Sequence, residues 1–369
     1  MNRLTAAKRL VVKIGSAMLV DRVSGLKQDW LRALADDVAD CRRRGQDVIL
    51  VSSGTIALGR RILGLKDGTM QLEDNQAAAA TGQIQLAHAY QGALARHGIV
   101  VAQILLTATD TEMRRRYINA RNTLAALLKR GVVPVVNEND TVATEEIRVG
   151  DNDRLAARVA AMMQADCLVL LSDIDGLYTA DPRHDPEASF IAEVSQITPE
   201  IEEMAGLANP GMGRGGMVTK LQAARIALQA GCHMAIADGR HMNPLALLAE
   251  GGIATWFVAQ ASPTTARKRW IAGSLRPAGQ VIIDEGAAAA LRRGKSLLPA
   301  GVRGVDGGFE RGDAVLILDQ MGHEVGRGLV GYTADEARRI IGHRSREIEG
   351  ILGYRGREEL IHRDDLVLR

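Results

Sequence analysis

Aromatic residues are scarce: Trp, Tyr and Phe together make up 3% of the 369 residues. That argues against a binding surface built on stacked rings. Cysteine is scarcer still. Cys41, Cys167 and Cys232 lie far apart, with no Cys-x-x-Cys pair and no histidine cluster beside them. A disulfide framework and a zinc site are thereby excluded, and the thiols read as small core residues in a reducing compartment. No apolar run reaches the roughly 18 residues that a spanning helix needs. Lys8 and Arg9 precede an apolar run, but Lys13 interrupts it and no small-residue cleavage site follows. The chain therefore reads as cytosolic, without a signal peptide and without a membrane partner. Charge of one sign is missing too. The formal net charge is +2, so charge alone implies no polyanion or lipid surface.

What is present is ordinary globular material, 46% hydrophobic and 24% charged. At about 100–200 residues per domain, two domains are expected. Leu10 to Ile14 is a short apolar run closed by Gly15-Ser16, and it reads as a buried strand. Trp30, Leu31, Leu34, Val38 and Cys41 then recur at helical spacing until Gly45. The cycle repeats. Strands are expected at 47–51, 99–106, 132–136, 166–171 and 233–238, and helices over 76–97, 112–130, 153–164 and 216–230. Alternating strands and longer helices imply parallel pairing with right-handed crossovers. Continuous apolar strands imply burial on both faces, hence a three-layer αβα sandwich with a mainly parallel sheet. After about Gln260 the character changes. Pro263, Arg267-Lys268-Arg269 and Pro277 read as a junction, and short strands at 281–283, 314–318 and 324–330 read as a small β-rich domain. The expected division is 1–262 and 277–369.

Several polar residues stand where strands end. Lys13 lies inside an apolar strand and cannot stay buried and charged without a partner. Either it snorkels out at the strand end, or it points into the crevice where open α/β sheets bind ligands. Ser52-Ser53-Gly54-Thr55 joins a strand to a helix, which is either an anion site or a plain serine cap. Asn137-Glu138-Asn139-Asp140 and Val149-Gly150-Asp151-Asn152-Asp153 suit an ammonium group, a metal or another polar ligand, or serve as turn and cap chemistry. Ser172-Asp173 closes another strand. The glycine-rich stretch from Gly211 through Arg214, Gly215, Gly216, Met217, Val218 and Thr219 to Lys220 opens a helix, where backbone can approach phosphate.

Two motifs are decoys. Gly211, Gly213 and Gly216 match a dinucleotide-binding fingerprint, with Asp238 at about the spacing of a ribose-binding acid, but they follow Ala208-Asn209-Pro210 rather than a strand. His362-Arg363-Asp364 imitates a protein-kinase catalytic loop at the extreme C-terminus, with no downstream partner motif. No Walker A sequence is present.

The segments LVVKIGS, VILVSSGTIALG, VPVVNENDTVAT, VGDNDRLAARVA, DIDGLYTADPR and GGMVTKLQAA, in that order, resemble the amino acid kinase family. The later segments DEGAAAAL, SLLPAGV, GHRS and ILGY resemble a PUA domain. Together they cover almost the whole chain. The resemblance implies the amino acid kinase fold with a C-terminal PUA domain. It implies a kinase that uses ATP with Mg²⁺ to phosphorylate the side-chain carboxylate of L-glutamate, at the head of proline synthesis. Acetylglutamate, aspartate, carbamate and uridylate are weaker alternatives as acceptors. By motif position it assigns Lys13, Lys220 and Asp153 to catalysis, and Ser53, Asp140 and Asn152 to glutamate. The nucleotide falls to Lys13, Ser172, Asp173 and the stretch Arg214, Gly215, Gly216, Met217, Val218, Thr219 and Lys220. No side chain is assigned as a metal ligand. Arg214 stands where the resemblance leads one to expect a small residue such as threonine. The implied partners are L-proline as feedback inhibitor, a reductase for the acyl phosphate, and further copies of the chain. RNA binding by the tail is a separate reading. It rests on Arg338, Arg339, His343, Arg344 and Arg346, which equally suit a solvated helix face.

Overall fold

The computed structural model describes residues 2–21, 23–65, 71–142, 151–182, 184–205, 216–273 and 276–369. Two compact units divide the chain, the first made of Met1–Glu112 and Ala120–Pro263, the second of Met113–Asn119 and Thr264–Arg369.

The first unit is built on an eight-stranded sheet. Its order is Glu193–Val194, Ala254–Phe257, His233–Asp238, Cys167–Ser172, Arg9–Ile14, Asp47–Val51, Val133–Glu138 and Val101–Leu106. All neighbours pair in parallel except Ala254–Phe257, which runs antiparallel to His233–Asp238. The central strands are apolar on both faces because both faces are covered. Leu10, Val12 and Ile14 join one core with Trp30, Leu34 and Val38 of the helix Gln28–Arg43 and with Leu86, Tyr90 and Leu94 of the helix Leu72–Ala95. Each such side chain contributes about 1.5–3 kcal/mol when fully buried. Side chains alternate across a strand, so Val11 and Lys13 face the other layer, where the helices Asp151–Met163 and Met217–Gln229 pack. Among the described residues no helix is long and apolar enough to cross a membrane. The three cysteines are free and buried, and burial pushes all three thiols up.

Several differences from the sequence reading are local, among them the unexpected short strands Glu193–Val194, Val302–Gly307 and Leu366–Leu368. The helix expected from residue 112 is preceded by a separate one, Ala108–Glu112, before Arg114–Lys129 begins. Asp110 accepts hydrogen bonds from the amide and hydroxyl of Thr107, and the Thr107 hydroxyl accepts from the Asp110 amide, which caps a new start. The short strand Ala254–Phe257 was not expected. The stretch read as a junction folds as a helix, Pro263–Gly273, with proline in its first turn.

The second unit holds a five-stranded sheet in the order Val302–Gly307, Gly279–Ile283, Ala314–Leu318, Glu324–Leu329, Leu366–Leu368. Only Gly279–Ile283 and Ala314–Leu318 are parallel. Val281, Ile283, Val315, Ile317, Tyr332, Ile340 and Leu360 form its own core. Arg267 of the helix Pro263–Gly273 meets Asp365 at 2.5 Å with both side chains almost wholly buried, which ties that helix into this unit.

Candidate active site

Lys13 is the fifth residue of the strand Arg9–Ile14 and pairs in register with Val51 on one side and Leu170 on the other. It is therefore near the carboxyl end of a central strand, 8% exposed. Its ammonium lies 2.7 Å from Oδ1 of Asp153. Asp153 stands in the first turn of Asp151–Met163, and its other oxygen, Oδ2, accepts from Lys220 Nζ at 3.1 Å and from Thr219 Oγ1 at 3.2 Å. Lys220 and Thr219 come from the start of Met217–Gln229, where the Thr219 hydroxyl shares its one proton between Asp153 and the Gly216 carbonyl 3.0 Å away. Residues more than two hundred positions apart thus converge on one carboxylate that is 1% exposed.

The electrostatics follow from that geometry. Burial pulls the Lys13 ammonium below its ordinary pKa, and the positive charge of Lys220 adds to the effect, while Asp153 opposes both. Burial alone would push the Asp153 carboxyl up, but the two ammoniums outweigh it and hold the group below the usual carboxylate range. Two lysines share the Asp153 carboxylate, with Asp173 acting on Lys13 more weakly, so these three buried side chains carry one surplus positive charge. Such a surplus attracts an anion.

The other expected residues lie at neighbouring strand ends. Ser53 follows Asp47–Val51 and precedes Gly54, whose φ of 102° opens the helix Thr55–Ile62. That left-handed geometry favours glycine. Asp140, 7% exposed, starts a short 3₁₀ turn after Val133–Glu138. Asn152 sits beside Asp153, and among the described residues its buried Oδ1 has no hydrogen-bond partner. An orphaned acceptor at a helix start calls for a donor. Ser172 ends Cys167–Ser172 and donates to the exposed Asp173 at 3.1 Å. Gly216, Met217 and Val218 open the Lys220 helix. Arg214 and Gly215, with the glycines 211 and 213 of the decoy motif, lie outside the described residues.

Comparison with known proteins places this arrangement. The model of the amino acid kinase family matches residues 8–238, and that of the PUA domain matches 279–352. The chain belongs to the amino acid kinase family. It is 63% identical over 369 residues, all of both chains, to the protein of Paramagnetospirillum magneticum named "Glutamate 5-kinase". It is 62% identical, again over the whole of both, to the protein of the same name in Dinoroseobacter shibae. Among solved structures, the carbamate kinase of Giardia lamblia bound to AMP-PNP aligns at a TM-score of 0.50 and 15% identity. That alignment covers 69% of this chain and all of the other, and shows a shared fold.

Within this amino acid kinase unit, sequence reasoning missed the supports behind the site. Thr219 was expected only beside the nucleotide, yet its hydroxyl reaches Asp153. Ser52, fully buried, lies 3.0 Å from the hydroxyl of Tyr90, and Asn137 donates to Gln83 at 2.9 Å. The only available signal was that residues 83 and 90 share a helix face. In the second unit, Arg338 is engaged by Asp335 and the Gly307 carbonyl, and Arg339 by the Ile351 carbonyl.

Proposed function

We infer that this chain is an ATP-dependent kinase that phosphorylates the side-chain carboxylate of L-glutamate, giving L-glutamate 5-phosphate for proline synthesis. The observation that carries the chemistry is the buried carboxylate of Asp153 held between Lys13 and Lys220. Phosphoryl transfer needs positioning and neutralisation of the equatorial oxygens more than it needs covalent chemistry. Lys13 and Lys220 supply that neutralisation from two sides, and Asp153 holds both ammoniums in place. The acceptor carboxylate is already ionised at neutral pH, so no general base is required. The name carried by relatives at 62–63% identity supports glutamate as the acceptor.

In this reading Asp140 answers the α-ammonium of glutamate, and Ser53 and Asn152 hold its polar ends. An N-acetylated acid would not need the Asp140 charge. The surplus positive charge of the cluster fits ATP, which supplies the phosphoryl group. Ser172, Asp173, Gly216, Met217, Val218, Thr219 and Lys220 hold it, with Arg214 and Gly215 assigned to the same stretch by motif position. Among the described residues no group of three or more His, Cys, Asp or Glu gathers to hold a metal. Mg²⁺ held mainly by phosphate oxygens and water needs only one or two carboxylates, and the exposed Asp173 is the candidate. Feedback by L-proline, assembly with further copies, a cytoplasmic location and a reductase for the labile acyl phosphate belong to the same reading.

The test is ATP- and Mg²⁺-dependent acyl phosphate formation trapped with hydroxylamine, with glutamate, N-acetylglutamate and aspartate side by side. Signal with glutamate alone is expected. Signal with another acid would reassign the acceptor, and silence from folded protein with all three would overturn the reading.

A further inference from the structure

The two strand ends that deliver Ser53 and Asp140 are both fastened to one helix. Leu72–Ala95 presents Gln83 and Tyr90 seven residues apart, two turns along one face. Tyr90, 1% exposed, meets Ser52, the residue before Ser53, at 3.0 Å. The Ser52 hydroxyl also lies 3.3 Å from the Ser53 carbonyl and donates to it. Either hydroxyl can donate across this contact, and the Tyr90 phenol carries its proton. Burial pushes the Tyr90 phenol up and keeps that proton in place. One strand over, Asn137 is 1% exposed, and its Nδ2 donates to Gln83 Oε1 at 2.9 Å while its Oδ1 accepts from the Glu138 amide at 2.9 Å. Those two bonds fix the amide plane of a side chain three residues before Asp140.

Helix Leu72–Ala95 is itself held at a fixed depth. A Cβ on Gly82 would overlap the Thr55 carbonyl, and one on Gly59 would overlap the Ala78 carbonyl, so this helix and Thr55–Ile62 cross at backbone contact. The 3₁₀ turn Asp140–Val142 packs on the same helix. The two strands behind these loops are also joined, by the Ser52 amide donating to the Val136 carbonyl at 2.9 Å.

We propose that Gln83 and Tyr90 are positioning residues for the acceptor site, setting the spacing between the Ser53 loop and the Asp140 loop. The proposal rests on the assignment of those loops to glutamate. Neither side chain touches the acceptor in this scheme. Gln83 acts through Asn137, and Tyr90 acts through Ser52 and the Ser53 carbonyl. An acceptor site that is loosened while the lysine cluster stays intact loses affinity for one substrate only.

The experiment is steady-state kinetics of the full chain with glutamate and ATP varied separately, for Gln83→Met, Gln83→Glu and Tyr90→Phe, with thermal melts of each. Gln83→Met keeps the size and removes the acceptor, leaving a buried amide proton unpaired. The KM for glutamate should rise on the order of tenfold, with the KM for ATP within about twofold and kcat falling less than the glutamate KM rises. Gln83→Glu keeps an acceptor and should restore most of the loss. Tyr90→Phe should show the same split with a smaller rise. Equal rises in both KM values, or a lowered melting temperature with both KM values unchanged, would overturn the proposal. If the wild type uses another carboxylic acid instead, the glutamate assignment falls, and the same split is read on that acid.

Discussion

Replacing Asp153 with asparagine removes one charge and almost no volume. Two ammoniums then face each other across a neutral amide, in a setting where Lys13 and Lys220 are 8% and 7% exposed. At separations of 2.7 and 3.1 Å, each lysine–carboxylate attraction is about 5–6 kcal/mol at an effective dielectric of roughly 20. Desolvation offsets much of that, and breaking a buried pair by removing one partner typically costs about 3–5 kcal/mol. For a unit of this size, that corresponds to a fall of roughly 6–20 °C in melting temperature. The loss should also depend on pH with a definite sign. Burial already holds Lys13 below its unfolded value of 10.5, and without Asp153 it falls further. Between its folded and unfolded pKa values the unfolded chain binds more protons, so stability rises with pH across that window. The deficit of Asp153→Asn should therefore shrink as pH rises toward 10.5, as measured by urea unfolding of both proteins. A deficit below about 1 kcal/mol that is the same at every pH would refute the view that this carboxylate holds two buried charges in place.

Lys220→Ala should lower kcat by about 10²–10³-fold while the glutamate KM stays within about threefold, because the lost charge acts on the transferred group; near-normal kcat would remove its assigned role. Gly82→Ala forces a methyl into the Thr55 carbonyl and should cost about 1–3 kcal/mol by urea unfolding; an unchanged midpoint would show that the helix crossing can relax. Arg267→Met breaks the buried pair with Asp365, 3% exposed, which Arg114 also faces, and should lower the thermal transition of the second unit. A loss under about 1 kcal/mol there would mean that Asp365 finds another partner or becomes protonated.

The sequence exposed the parts of the molecule that obey local rules. Leu10 to Ile14 and Cys167 to Leu171 are apolar because both sheet faces are covered, and that pattern is visible without a structure. Lys13 was legible because a charge inside such a run breaks the pattern. Its partners were legible only through the family resemblance, since nothing local says that residues 153 and 220 end on the same carboxylate. Ala254–Phe257 was hidden by its four-residue length, too short for a period to emerge. The helix Pro263–Gly273 was hidden because its proline and basic run read as punctuation. Proline is at home in a first helical turn, and Arg267 is drawn inward by an acid about a hundred residues later. Tyr90 and Gln83 were hidden by an alanine-rich helix with no sharp apolar stripe, on which two polar contacts leave no mark.

Burial of two lysines and one aspartate is a poor way to hold a sheet together. The desolvation of each charge is lost in folding, and well-packed apolar residues of similar volume commonly match or exceed such a cluster by about 1–4 kcal/mol. The triple replacement Lys13→Met, Asp153→Leu, Lys220→Met should therefore melt at or above the wild type, although Asp153→Asn alone melts far below it. It should also be inactive in the hydroxylamine assay, because nothing remains to neutralise the transferred oxygens. That pairing, a stable triple variant beside an unstable single one, separates a cluster kept for the reaction from one kept for the fold. A triple variant that melts as low as Asp153→Asn would place the cluster with the structural residues, and the functional reading of Lys13 would then rest on kinetics alone.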